Sequence, residues 1–538
     1  MSKVPFKQFG PMLDCARNAV MKPEKIKEMI DICAESGYST LLLYIEDVYE
    51  IEDHPYFGYL RGRYTKAELK DINAYGVKKG IEVIPCIQTL GHIHAIFRWS
   101  TYSAYRDCND ILLIGEPKVY DLIDKMFATM SECFSTKSIN VGMDEAHMVG
   151  RGKYYDQHGD INKTELLVSH VKKVAEIAKK YGYTISMWSD MFYRIAANGE
   201  YYSPEVEVSD ELKALIPDNV ELIYWDYYHI KKEFYDSMIA SHEKIKKGTY
   251  FAGAVGACRG LNPHNAFRMK LTKPAIQSCL DNNIQKVMLC TWGDDGGETS
   301  RFAALPSMYY AAQIAQGVKS MKEIKEGFKK LFGISFDAFM LLDLVGGDRY
   351  TTDSKNLLFN DIFIGMLDTT IETGRGAKYA AVARKLARYR KHERWGYLFE
   401  TSYALCKVLE LKAELGKRLR AAYQAGDKEA LRSIIPDMKE VVKRLNKYHK
   451  AYRNQWLIEN KNVGFEIQDL RIGGLIKRVE SSIDILSDYL SGKIPDIYEL
   501  EQELLDPTGE GKVEHCRPLL RDYKDIVSPN DIYIDLYK

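Results

Sequence analysis

Five times within its first 292 residues the chain repeats one unit, an amphipathic helix that ends at a glycine or asparagine turn and runs into a short apolar strand. The first helix opens with Pro23, which suits an initial helical position, and spaces Ile26, Met29, Ile30 and Cys33 along one face before stopping at Gly37. The second carries a capping box, Thr65 with Glu68, and leads into "KKGIEVIPCIQ". "KKYGYTISMW", "KKGTYFAGA" and "NNIQKVMLCTW" close the other three units. A helix between successive strands leaves those strands parallel, so the pattern predicts an α/β fold.

With "FGPMLDCAR", "SINVGM" and "VELIYW" included, eight strands are predicted, centred near residues 12, 42, 84, 141, 186, 223, 252 and 288. Eight alternating units in about 300 residues fit a (β/α)8 TIM barrel. A doubly wound sheet would carry a glycine-rich phosphate loop after its first strand, and "LDCARNAV" is not one. From about residue 318 the strands give way to long charged helices, which predicts a catalytic barrel over 1–317 and an α-helical C-terminal domain over 318–538. In that domain "NKNVGFEIQDLRIGGLIKR" sets Gly464, Gly473 and Gly474 into helix-favouring sequence, which suggests a tight bend or close backbone approach.

Charge excludes some partners. Lys plus Arg and Asp plus Glu stand at 75 each, so no overall field attracts nucleic acid or an acidic membrane. The N-terminus lacks a signal core, no apolar run reaches membrane-spanning length, and the ten cysteines are scattered without a C-x-x-C pair. A cytoplasmic protein with reduced thiols is expected, with no cofactor and no metal site. The long helices leave a homodimer through the C-terminal domain open.

In a (β/α)8 barrel the chemistry collects at the C-terminal ends of the strands. Those ends carry Arg17, Asp47, His92, Asp144 with Glu145, Trp188, Trp225 with Asp226 and Tyr227, and Trp292 with Asp294. Aromatic rings interspersed with carboxylates and one arginine describe a sugar-shaped pocket. Each member also has a plain alternative: Arg17 as a surface ion pair, Asp47 and His92 as a structural pair, the tryptophans as packing.

Asp144 and Glu145 are adjacent, which suits a protein nucleophile pair poorly, because two carboxylates that straddle a glycosidic bond need about 5 Å or more between them. One carboxyl that protonates the leaving oxygen, and one that holds a substrate group which itself attacks, fits adjacency better. Alternation along "SINVGMD" predicts that Asp144 shares the inward face with Asn140 and Gly142.

These residues, in this order, resemble the retaining β-N-acetylhexosaminidases of glycoside hydrolase family 20, over roughly residues 8–317. "LDCARN" is similar to that family's first-strand arginine motif, "LLLYIED" to its second-strand acid, "TLGHIHA" to its Gly-His turn and "VGMDEAH" to its Gly-x-Asp-Glu signature; "ISMWSDMF", "LIYWDYY" and "LCTWGD" complete the series. The resemblance implies that Glu145 is the general acid and base, and that Asp144 orients the 2-acetamido group as it closes an oxazolinium ring. It implies that Tyr227 donates to the acetamido oxygen, that Trp188, Trp225 and Trp292 wall the sugar, and that Arg17 and Asp294 bind hydroxyls. Asp47 and His92 would form a relay to Glu145, whose acid role calls for a raised pKa in a dry pocket. Tyr228 competes with Tyr227 for its role, and Asp295 and Glu298 compete with Asp294, Glu298 being the second choice.

The chain departs from the family pattern in two places. The first predicted strand begins almost at Met1, so the smaller domain that usually precedes the barrel is not expected here, and "SINVGMDE" lacks the upstream histidine and one glycine of His-x-Gly-Gly-Asp-Glu. The expected activity is removal of terminal GlcNAc or GalNAc from small oligosaccharides or glycoconjugate fragments. Two alternatives stand beside it: another barrel glycosidase that pairs Asp144 or Glu145 with a distant acid such as Asp294, and a non-catalytic sugar-binding scaffold. Arg151, just past the pair, is a candidate for sugar selection.

Overall fold

A computed structural model describes residues 4–197, 199–256, 259–346, 353–505 and 507. Eight parallel strands close into a barrel in sequence order: β1 (Gln8–Asp14), β2 (Thr40–Glu46), β3 (Glu82–Ile87), β4 (Ser138–Asn140), β5 (Thr184–Trp188), β6 (Val220–Trp225), β7 (Tyr250–Ala254) and β8 (Lys286–Thr291). β8 returns to pair with β1 from Gln8↔Lys286 to Leu13↔Thr291, which leaves no open edge. Seven predicted strand centres fall inside these spans; the eighth, residue 141, lies one residue past β4.

Local chemistry accounts for the connecting helices. Pro23 opens the helix Pro23–Ser36, and Gly37 ends it in a left-handed conformation (φ 92°) that returns its N–H to the last carbonyls. Thr65 and Glu68 form the expected capping box at the start of Lys66–Lys79, with bonds of 3.1 and 2.8 Å. The strands carry near-continuous apolar runs, as both of their faces are covered. Among the described residues no helix is long and apolar enough to cross a membrane.

The chain divides into two compact units. The barrel unit comprises the residues up to Gly256, with Ala266–Trp292 and Ser307–Leu331. The helical unit takes the remainder, including Gly293–Pro306 directly after the last strand, so the division does not fall at one point near residue 317. Its main helices are Arg375–Leu386, Gly396–Lys412, Leu415–Gln424, Lys428–Glu459 and Glu466–Leu490. They bury Trp395, Phe399, Leu409, Met438, Leu445, Tyr452, Trp456 and Leu475. Gly464 (φ 99°) supplies the bend expected in its segment. Gly473 and Gly474 do not mark a close approach: both lie inside Glu466–Leu490, and a Cβ at either would meet nothing within 4 Å.

Candidate active site

The C-terminal ends of the barrel strands bring the charged residues together. β4 stops at Asn140, and Gly142 (φ 69°), Met143 (φ 70°) and Glu145 (φ 51°) then adopt left-handed backbone, so simple alternation does not extend to Asp144 as expected. Positive φ is costly for methionine and glutamate, and such strain persists only where the surroundings enforce it. Two neighbours do so. Gln88, just past β3, accepts the Met143 N–H at 3.2 Å; Asp190, two residues past β5, accepts the Glu145 N–H at 3.0 Å.

The two adjacent carboxylates receive different environments. Asp144 is 14% exposed, accepts from Gln88 Nε2 at 2.9 Å, and lies 3.3 Å from His92 Nε2. Burial alone would raise its pKa, but the charge and hydrogen bond of His92 and the Gln88 amide hold it below the ordinary carboxylate value. Glu145 is 46% exposed and 3.7 Å from the same imidazole nitrogen, so the enclosed setting expected for it is not formed in the free chain. Its side chain is the accessible member of the pair.

His92 (φ 54°) is fixed through its backbone N–H, which donates to Asp110 at 2.9 Å. Burial would lower its pKa, yet Asp144, with a contribution from Glu46 and against Arg17, pushes it up to about 9. The expected relay from Asp47 to His92 is not present. Asp47 is buried against Arg61, whose Nε lies 3.0 Å from one of its oxygens, and burial raises its carboxyl to about 6 despite that cation.

The preceding residue, Glu46, takes the position in the cluster that Asp47 was expected to hold. Arg17 Nε donates to Glu46 Oε1 at 3.0 Å, and the Tyr44 hydroxyl donates to the same oxygen at 2.8 Å. A register shift in the β2–β3 pairing between Tyr44 and Glu46, with Glu46 at φ 35°, reverses the alternation at this point. Burial opposes ionisation of Glu46, but Arg17, His92 and Tyr44 outweigh it and hold its pKa down.

Asp190 and Gln88 were missed by sequence reasoning. Asp190 stands in the quoted "ISMWSDMF", three residues before Tyr193, and is completely enclosed. Burial and the nearby Asp144 raise its pKa to about 7, against the Glu145 N–H and Arg194. Among the described residues its Oδ1 has no hydrogen-bond partner.

The aromatic residues line the same end of the barrel. Trp292 meets the Tyr44 ring edge-on at 4.9 Å and lies tilted against Trp188 at 5.8 Å, and the buried Trp188 Nε1 has no acceptor among the described residues. Trp225 stacks on Tyr227 at 5.2 Å and lies tilted against Tyr201 at 4.7 Å. The tyrosine pair is distinguished by burial: Tyr227 is 7% exposed with its hydroxyl 3.6 Å from Cys290 Sγ of β8, whereas Tyr228 is 61% exposed.

The acids after β8 belong to the helical unit. Glu298 is not available to a ligand: its carboxylate accepts from Lys355 at 2.6 Å, from Gln468 at 3.1 Å and from Arg471, all fully enclosed. Asp295 also pairs with Lys355, at 3.1 Å, while Asp294 is one-third exposed and 3.9 Å from Arg259. Arg151 is half-exposed, 3.5 Å from Asp160. Among the described residues no group of His, Cys, Asp or Glu is arranged to hold a metal ion.

Comparison with known proteins gives matches along most of the chain. The sequence pattern of the glycosyl hydrolase family 20 catalytic domain matches residues 6–233, and that of the Glycoside Hydrolase 20C C-terminal domain matches 341–517. Hexosaminidase D of Bos taurus is 24% identical over 255 residues, which are 44% of this chain and 70% of the relative. Hexosaminidase D of Homo sapiens is 24% identical over 226 residues, 39% of this chain and 43% of the relative. A solved β-N-acetylhexosaminidase from Bacteroides fragilis NCTC 9343 is 18% identical with a TM-score of 0.46, covering 61% of this chain and 70% of that one.

Proposed function

Because the chain belongs to glycoside hydrolase family 20, we propose that it is an exo-β-N-acetylhexosaminidase that removes a terminal non-reducing GlcNAc or GalNAc by substrate-assisted, retaining catalysis. The observation that carries this reading is the unequal setting of Asp144 and Glu145: one carboxylate is enclosed and held ionised, and its neighbour is exposed and turned outward by a left-handed backbone. An ionised Asp144 accepts the acetamido N–H, aims the carbonyl oxygen at the anomeric carbon, and offsets the positive charge of the oxazolinium ion that forms. Glu145 gives a proton to the departing oxygen and later takes one from water.

The remaining residues take roles that follow from position. Tyr227 turns its hydroxyl from Cys290 to the acetamido oxygen, and Trp188, Trp225 and Trp292 enclose the N-acetyl sugar. Arg17, which is paired with Glu46, binds sugar hydroxyls. His92 holds Asp144 and comes within reach of Glu145. Among the described residues Cys33, Cys86, Cys133, Cys279 and Cys406 are buried free thiols, which support a reducing, cytoplasmic setting. A second copy of the chain is the proposed partner of the helical domain. Ile467 and Leu470, at 39% and 71% exposure, share a face of Glu466–Leu490 with exposed Gly474.

Purified protein assayed on aryl β-N-acetylglucosaminide and β-N-acetylgalactosaminide tests the activity, and the ratio of the two rates gives the sugar preference. Turnover blocked by a thiazoline mimic of the oxazoline is expected. No turnover of either sugar, together with no thiazoline binding, would refute the proposal.

A further inference from the structure

Gln88 is a fully buried, neutral side chain set among charges at the end of β3. Its Nε2 donates to Asp144 Oδ1 at 2.9 Å and to the Tyr44 hydroxyl at 3.0 Å, while its Oε1 accepts from the Met143 N–H at 3.2 Å. These partners fix which end of the amide is which, because an ionised carboxylate only accepts and a backbone N–H only donates. Oε1 also fills the space above Gly142, where an added Cβ would lie 1.8 Å from it. Side chain and left-handed turn are therefore fitted to one another, and neither rearranges alone.

The Tyr44 hydroxyl passes the chain on by donating to Glu46, to which Arg17 also donates. One hydrogen-bonded path thus runs from Arg17 through Glu46, Tyr44 and Gln88 to Asp144. The titratable and charged groups around Asp144 come from several elements: His92 from beyond β3, Tyr44 from β2, Glu145 beside it and Asp190 from beyond β5 act on it or adjoin it, while Glu46 of β2 and Arg17 from beyond β1 act on His92 and Tyr44. Gln88 is the one member of the path that cannot gain or lose a proton.

We propose that Gln88 is a positioning residue for the reaction, a permanently neutral donor that locks Asp144 Oδ1 and so holds the carboxylate in its acetamide-orienting pose. This rests on the substrate-assisted reading above. A carboxyl at the same place would share a proton with Asp144 and hold the pose only while it kept that proton.

The test is kcat/KM against pH on an aryl N-acetylhexosaminide for the wild type, Gln88→Glu and Gln88→Leu, with thermal melts and thiazoline affinity for each. Gln88→Glu is expected to work near the wild-type rate at acid pH and to lose about tenfold or more as the new carboxyl ionises, so its alkaline limb moves down by about one pH unit or more. Gln88→Leu, with no donor at any pH, is expected to lose about 100-fold in kcat with unshifted limbs and to bind the thiazoline more weakly. An active wild type, with a Gln88→Glu profile that keeps both limbs in place, would overturn the role. So would losses that track only the fraction of folded protein. An inactive wild type would overturn the reaction and the role together.

Discussion

Replacing His92 with glutamine keeps a hydrogen-bond donor near Asp144 and removes the charge. The imidazole pKa rises from 6.5 to about 9 in the folded chain, a step that corresponds to about 3 kcal/mol at about 1.4 kcal/mol per unit. Its folded value lies above its unfolded one, so the stabilisation is complete below about pH 6.5 and is lost as pH rises through about 9. Asp144 shows the opposite sense: its pKa is lowered, and its contribution disappears only as pH falls through that lowered value. Urea unfolding of wild type and His92→Gln between about pH 6 and pH 10 should give a stability gap of about 3 kcal/mol at the acid end that shrinks towards zero at the alkaline end. Lys412, with a pKa of about 8, titrates in the same window in both proteins and cancels in the difference; Asp190, at about 7, is raised by Asp144, so the loss of the gap is read above about pH 8, where Asp190 is ionised in both. A gap that stays constant across that range would refute the ion pair as the source of the stabilisation. A ring-labelled histidine resonance, absent from the variant and titrating near 6.5 in the wild type, would refute it as directly.

Three further outcomes follow from the same structure. Asp190→Asn keeps an acceptor for the Glu145 N–H and removes a buried acid, so it should gain stability progressively as pH rises from about 4 to about 7, hold that gain above it and retain most activity; Asp190→Ala frees the strained loop and should lower kcat about 100-fold, read by steady-state kinetics. Glu298→Ala strands Lys355 and Arg471 in the helical core and should cost about 3–5 kcal/mol in unfolding experiments, whereas a role in sugar binding would instead weaken thiazoline affinity with stability intact. Leu470→Glu should convert a dimer to monomer in light scattering without changing kcat/KM; a wild type that is monomeric at all concentrations would refute the partner proposal.

The barrel was legible because helix spacing, capping residues and apolar strand runs all point the same way, as Pro23, Gly37 and the Thr65–Glu68 box illustrate. Within the candidate site, residue type alone pointed to Arg17, His92, the acid pair and Trp292, which lie past the ends of β1, β3, β4 and β8, and to Trp188 and Trp225, which close β5 and β6. The site was obscured where backbone geometry departs from the strand period. The register shift at Tyr44 and Glu46 hands the arginine to Glu46 instead of Asp47. Two left-handed residues after β4, Gly142 and Met143, remove Asp144 from the alternation that a regular strand would impose. Gln88 and Asp190 act by holding backbone and a neighbouring acid, and neither role leaves a mark in a single sequence. Glu298 looked like a ligand because it follows Trp292 closely, but Lys355 and Arg471 lie far along the chain and only folding brings them to it.

The central claim is that the substrate's own acetamido oxygen attacks the anomeric carbon while Asp144 steers it. It is tested most directly by kcat/KM on aryl glycosides whose N-acetyl group carries none, one, two or three fluorines. Each fluorine makes the carbonyl oxygen a poorer nucleophile, so the rate should fall steeply and progressively along the series. A rate indifferent to fluorination, with a glycosyl group trapped on a protein carboxylate, would contradict it.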